Sequence, residues 1–142
     1  MRYVVDASVV ACWYFDEPLT AGAEALLEQP GDLLAPDLLH LEIARLLFER
    51  VARVEIGEST ADRILAELRL VPFELTPALD LAPAALSLAL RTHLPVTDGF
   101  YLALAIQAGC PFVTADRPLY DLLTSGPLAQ HALWVGDVPE GR

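Results

Sequence analysis

Short apolar runs, most of which do not alternate with polar residues, punctuate this chain and limit the folds open to it. They lie at Tyr3 to Val5, Leu33 to Ala35, Val71 to Leu75 and Phe112 to Thr114, with a fifth at Leu133 to Val135. A strand wetted on one side alternates with period two, whereas a strand covered on both faces is apolar along its length. Helical patterns separate the runs, over Thr20 to Gln29, Asp37 to Val54, Glu58 to Leu70, Pro77 to Thr92, Asp98 to Ala108 and Pro118 to Thr124, with Pro or Gly at several junctions. Strands joined through helices pair in parallel, because the crossover returns the chain to the edge it started from. The pattern predicts an α/β fold, a three-layer sandwich with a central five-stranded parallel sheet.

The 142 residues suit a single domain spanning 1–142, large enough to need no metal or disulfide staple for its core. Only the segment 136–142 reads as a loosely held tail. The longest uncharged stretch, Gly99 to Ala115, has 17 residues and contains Gly109 and Pro111, too short and too broken for a membrane span. Asp6 interrupts the apolar N-terminus, and Asp16 and Glu17 follow it, a pattern unlike a secretory signal, so a cytoplasmic location is expected. Cys12 and Cys110 lack metal-ligand spacing and are expected to be free thiols.

The net charge is -11, and every basic residue is Arg. Without Lys, a GxxxxGK[ST] phosphate loop and Schiff-base chemistry are both excluded. Acidity of this size also speaks against a long electrostatic grip on nucleic acid.

Four acids stand in unusual places. Asp6 closes the first apolar run, and Asp116 follows Phe112 to Thr114 in CPFVTADRPLY. The carboxyl ends of parallel strands gather on one edge, so the two acids are expected to be neighbours despite their separation in sequence. Glu42 lies in the greasy helix HLEIARLLF, on a polar stripe with Arg45, Glu49 and Arg53. Asp98 heads TDGFYLALAIQAG, a helix with no other charge. Each acid also has a plain structural reading. Asp6, Asp98 and Asp116 stand where helix N-caps stand, and Glu42 has Arg45 within pairing distance along the helix. A hard divalent cation explains all four together, since Mg²⁺ and Mn²⁺ take oxygen ligands.

From these stretches the family resemblance is read. YVVDASV, LLAPDLLHLEIARLL and VTDGFYLALAIQAGCPFVTADRPL, in that order, resemble the PIN domain, most closely the VapC-like toxin ribonucleases of toxin–antitoxin pairs. The resemblance covers almost the whole chain and is strongest over Thr97 to Leu119. It implies a catalytic quartet of Asp6, Glu42, Asp98 and Asp116, a Mg²⁺ or Mn²⁺ cofactor with Asp6, Asp98 and Asp116 as ligands, RNA as substrate, a homodimer, and a cognate antitoxin protein. Ser8 and Thr114 match positions where such proteins carry a hydroxyl near the metal. Arg45 departs from the pattern, since an Asn commonly follows the helical Glu by three residues. Its guanidinium either binds substrate phosphate, as Arg117 also could, or pairs with Glu42 or Glu49 and competes with metal.

His40, His93 and His131 are dispersed, and none is positioned by sequence as a general base. Leu38, Leu46, Phe48, Trp13 and Tyr14 are candidates for an antitoxin groove, with core packing as their alternative. Two other readings compete with a nuclease. An aspartyl phosphotransferase of the haloacid-dehalogenase type wants a second Asp where Ser8 stands, and a receiver domain wants a late Lys. A catalytically weakened PIN-like protein that mainly binds an antitoxin is the stronger alternative, because of Arg45.

Two carboxylates about 5 Å apart repel by roughly 3 kcal/mol at an effective dielectric near 20. Without a cation, the cluster should therefore raise at least one carboxyl pKa and strain the fold. Asp6→Asn is expected to raise the melting temperature of the metal-free protein; an unchanged or lowered value, read by calorimetry in a chelator, removes the physical case for clustering.

Overall fold

The computed structural model describes residues 1–15, 19–28 and 32–139. Its five strands, β1 (Tyr3–Val5), β2 (Leu33–Pro36), β3 (Phe73–Thr76), β4 (Phe112–Thr114) and β5 (Ala132–Trp134), form one sheet in the order β3-β2-β1-β4-β5, every pair parallel. The helices are α1 (Ala7–Tyr14), α2 (Thr20–Glu28), α3 (Leu39–Ala52), α4 (Glu58–Leu68), α5 (Ala78–Thr92), α6 (Val96–Ala108) and α7 (Arg117–Thr124). The predicted end of α2 at Gln29 and the last three residues of the predicted tail lie outside the described residues.

Strand side chains alternate between two faces, and both faces are covered. Tyr3, Val5, Leu33, Ala35 and Val113 point into one apolar cluster with Val9, Leu26, Ile43 and Ile64 from α1 to α4. Val4, Leu34 and Phe112 point into the other, with Leu81, Tyr101, Leu102 and Leu123 from α5 to α7. This double burial is why β1, β2 and β4 lack polar alternation. The chain runs outward from β1 through β2 to β3, then crosses to β4 and β5 on the other side. The switch between β1 and β4 opens a crevice at the carboxyl edge, the usual ligand position in open parallel sheets.

Several boundaries differ from expectation. The helix α1, implied in the sequence only by Asp6 as a possible cap, has no helical pattern of its own, because Val9, Val10, Trp13 and Tyr14 have weak helix propensity and the run merges with β1. Asp37 does not belong to α3; it lies in the turn before it, and its Oδ1 accepts a hydrogen bond from the Ala78 amide at the start of α5. Asp98 is not an N-cap either. Pro95 holds that position, and Asp98 falls inside the first turn of α6. The tail is anchored further than predicted: residues Val135–Asp137 form a 3-10 turn, and Val135 and Val138 are buried in the first cluster.

Two glycines set close approaches that fix this packing. A Cβ on Gly22 in α2 would sit 2.6 Å from the Val135 carbonyl oxygen, and one on Gly99 in α6 would sit 2.7 Å from that of Ala85 in α5. Gly99 thus lets α5 and α6 touch at backbone level, immediately beside Asp98. Gly99→Ala pits a helix-propensity gain of up to about 1 kcal/mol against overpacking of roughly 1–3 kcal/mol. A net loss of stability in urea unfolding is expected; a more stable variant would show that the helices separate freely.

Candidate active site

The crevice is built outward from Asp6. The residue leaves β1 and starts α1, and it is only 7% exposed. Ser8 Oγ and Thr114 Oγ1 both donate to Asp6 Oδ2, at 2.7 and 2.8 Å. These hydroxyls are themselves held in place. Ser8 Oγ accepts from the Ala115 amide and Thr114 Oγ1 from the Asp116 amide, each at 3.0 Å. The loop after β4 therefore orients the two hydroxyls, and they orient the carboxylate. Asp6 occupies the N-cap position of α1 but makes no side-chain capping bond, so the capping reading fails there. Asp116 does cap: its Oδ1 accepts from the Leu119 amide at 3.1 Å, which fixes the carboxylate at the head of α7.

Glu42 reaches the same crevice from α3. Its partner is Tyr101, fully buried in α6, whose hydroxyl donates to Glu42 Oε1. Arg45 takes neither Glu42 nor a closely made pair. It stands 3.8 Å from Glu49, one turn along α3, and its side chain is 79% exposed. A cleft of about 350 Å³ is lined by Asp6, Ser8, Glu42, Arg45, Asp98 and Asp116, with Ala11, Leu46 and Glu49 among its walls. All four predicted acids face it. Thr114 acts from behind Asp6, and Arg117 is absent from the lining: it pairs with Asp121 at 3.1 Å on α7.

Burial and, after it, like charge raise three of the four carboxyl pKa values. Burial pushes the Asp6 carboxyl pKa up against the opposing hydrogen bonds of Ser8 and Thr114, and Asp116 raises it further. Glu42 is raised chiefly by burial, with the Tyr101 hydroxyl opposing. Asp98 is raised to about 7, first by burial, then by Asp6, Asp116 and Glu42. The Tyr101 phenol is pushed far above its ordinary value by burial and by Glu42, so it remains a donor at any working pH. Tyr101 was not singled out in the sequence; its position one turn after Asp98 was the signal available.

The donor set consists of carboxylate oxygens, which suits a hard cation rather than zinc or copper. Among the described residues, no three His, Cys, Asp or Glu side chains converge tightly enough to form a ready-made metal cage. The four acids line one open cleft without forming such a cage, so a hard cation there would keep part of its water shell.

A family model described as PIN domain matches residues 3–122. The chain belongs to the PIN domain family. This PIN domain is 34% identical over 125 residues to Ribonuclease VapC3 of Pyrobaculum aerophilum, covering 84% of this chain and 92% of that protein. The crystal structure of PAE2754 from Pyrobaculum aerophilum superposes with a TM-score of 0.64 at 23% identity, covering 95% of this chain and 84% of that one. That of VapBC2 from Rickettsia felis, bound to a DNA fragment from their promoter, gives 0.57 at 11% identity, with 86% and 93% covered. At these identities the two structures bear on the fold, and they agree with the sandwich described. No described helix of this PIN domain is long and apolar enough to cross a membrane.

A carboxyl group whose folded pKa lies above its unfolded value holds its proton more tightly when folded. It therefore costs stability as pH rises, here from about 4 to about 7 for Asp98. Asp98→Asn removes that cost. Metal-free, its melting temperature should equal that of the wild type near pH 4 and exceed it by about 4 °C at pH 8, allowing for solvent screening of a partly exposed group. A difference that does not change with pH would show that Asp98 carries no such burden.

Proposed function

We propose that this PIN domain is a metal-dependent endoribonuclease and the toxin of a toxin–antitoxin pair, its whole chain a single cytoplasmic domain. The observation that carries the reading is the convergence of Asp6, Glu42, Asp98 and Asp116 on one cleft at the switch point of the sheet. Kinship with Ribonuclease VapC3 supplies the substrate class. A bound Mg²⁺ or Mn²⁺ would supply Lewis-acid stabilisation of phosphoryl oxygens and an acidified water. Asp6, Asp98 and Asp116 would hold it, and Glu42, oriented by Tyr101, would serve as ligand or as organiser of bound water. Ser8 and Thr114 keep Asp6 in one orientation, so little reorganisation is needed when a cation enters. Arg45, loosely paired and facing the cleft, is free to take a phosphate oxygen of the RNA.

Partners follow from exposed apolar surface. Leu79, Leu86 and Leu90 are exposed on α5 and lie within about 40° of one another around the helix, a stripe suited to a homodimer. The five residues expected to form an antitoxin groove are distributed instead. Phe48 lines a hollow between α3 and α4 with Val51, Ala61 and Leu65; Leu46 lines the carboxylate cleft; Trp13 stacks on Phe73; Tyr14 packs against the first apolar cluster and Leu38 against the second. The α3–α4 hollow, with Glu58 and Asp62 at its edge, suits an amphipathic antitoxin segment carrying basic residues.

A second reading is a catalytically weakened protein that mainly binds its antitoxin. The cation of Arg45 within the cleft favours it. Antitoxin-free protein is expected to cleave an RNA pool with Mg²⁺ or Mn²⁺, to stop on chelation, and to be toxic when expressed. Asp6→Ala or Asp116→Ala should slow cleavage about a hundred-fold or more and abolish toxicity. Failure to cleave any RNA with either ion would leave the binding reading.

A further inference from the structure

Beside the cleft, on the β5 side, lies a group of side chains that the carboxylate chemistry does not use. Trp134 ends β5 and is the register partner of Thr114, the residue that donates to Asp6. Adjacent strands are about 4.8 Å apart, so Trp134 stands one strand from the site at the same edge of the sheet. Arg117 and Tyr120 belong to α7, whose cap is Asp116. The Arg117 guanidinium carbon lies 5.0 Å from the centre of the Trp134 ring and 5.3 Å from that of Tyr120. The two rings are 5.6 Å apart and tilted by 57°. Both rings are partly exposed, and the Arg117 side chain is 60% exposed. The chain passes close to the edge of the indole at Gly136, where a Cβ would lie 3.0 Å from Trp134 Nε1.

We propose that Arg117, Tyr120 and Trp134 form a stacking platform for an unpaired base of single-stranded RNA, next to the phosphate that is cut. The inference rests on the ribonuclease reading and deepens it. A chain of net charge -11 has little electrostatic hold on a phosphate backbone. Stacking does not need net charge, and aromatic faces and guanidinium planes are the surfaces on which splayed-out RNA bases are received. Arg117 supplies such a plane while its charge is paired with Asp121 and lies against two rings. Asp116 links platform to cleft, since it lines the cleft and caps the helix that carries Arg117 and Tyr120.

The test uses the two tryptophans of the chain. Trp13→Phe leaves Trp134 as the sole indole. Titration with a single-stranded oligoribonucleotide, selected for binding from a mixed pool, is done with Ca²⁺ replacing Mg²⁺ and RNA integrity checked on gels. Quenching of Trp134 emission is expected. Trp134→Leu and Tyr120→Leu should each weaken binding about 5- to 100-fold, Tyr120→Phe should retain it, and Arg117→Lys, which keeps charge but loses the plane, should weaken it. As a check independent of protein folding, a single abasic site walked along the oligonucleotide should cost affinity at one position beside the cleavage point. If RNA is bound and cleaved while Trp134 emission, the leucine variants and the abasic scan all show no effect, the platform is overturned and the ribonuclease reading stands. If folded wild type binds no RNA in the pool, that reading fails and the platform falls with it.

Discussion

Asp6 carries its carboxylate into the gap between the ends of β1 and β4, almost out of reach of water, and the other charged groups of the cleft are placed relative to it. Burying a carboxylate is costly unless its lone pairs are met. Here two hydroxyls meet one oxygen, and the backbone amides of Ala115 and Asp116 orient those hydroxyls. The same short loop therefore holds Asp6 and presents Asp116. A change in the path of the chain after β4 would disturb both acids at once.

Around this anchor the fold gathers like charge that protons or a bound cation would relieve, with Arg45 offsetting part of it at Glu42. Asp98 shows the effect most directly, since burial and three neighbouring carboxylates act on it together. The close contact of α5 with α6 at Gly99 holds the backbone of the turn that carries Asp98. Glu42 is restrained from a different direction, by a phenol in the core of α6. Rigid elements thus aim all four acids, as preorganised sites require. Arg45 and the Arg117 group lie at the margins, where exposed side chains can still move.

Much of this was legible in residue order. Runs such as Tyr3 to Val5 and Phe112 to Thr114 read as strands because burial on both faces removes polar alternation, and the parallel sheet followed. The four acids stood out because each interrupts an apolar context. Less legible were features that depend on what lies opposite in space. The α1 helix is specified by packing of Val9 and Val10 rather than by propensity, and the hold on the tail comes from Val138 entering a cluster built by distant helices. Asp98 looked like a cap because the sequence does not reveal that Pro95 begins the helix.

Residue type and local spacing are enough to give the alternation of buried strands and helices, to exclude lysine chemistry and to pick out four acids as candidates. Packing in three dimensions settles which acid is buried, which one caps a helix, that Tyr101 and not Arg45 meets Glu42, and that Arg117 lies against Trp134 and Tyr120 rather than in the cleft. Those outcomes depend on distances between residues far apart in the chain. Desolvation and Coulombic coupling arise only when the sheet brings such residues within a few ångströms of one another.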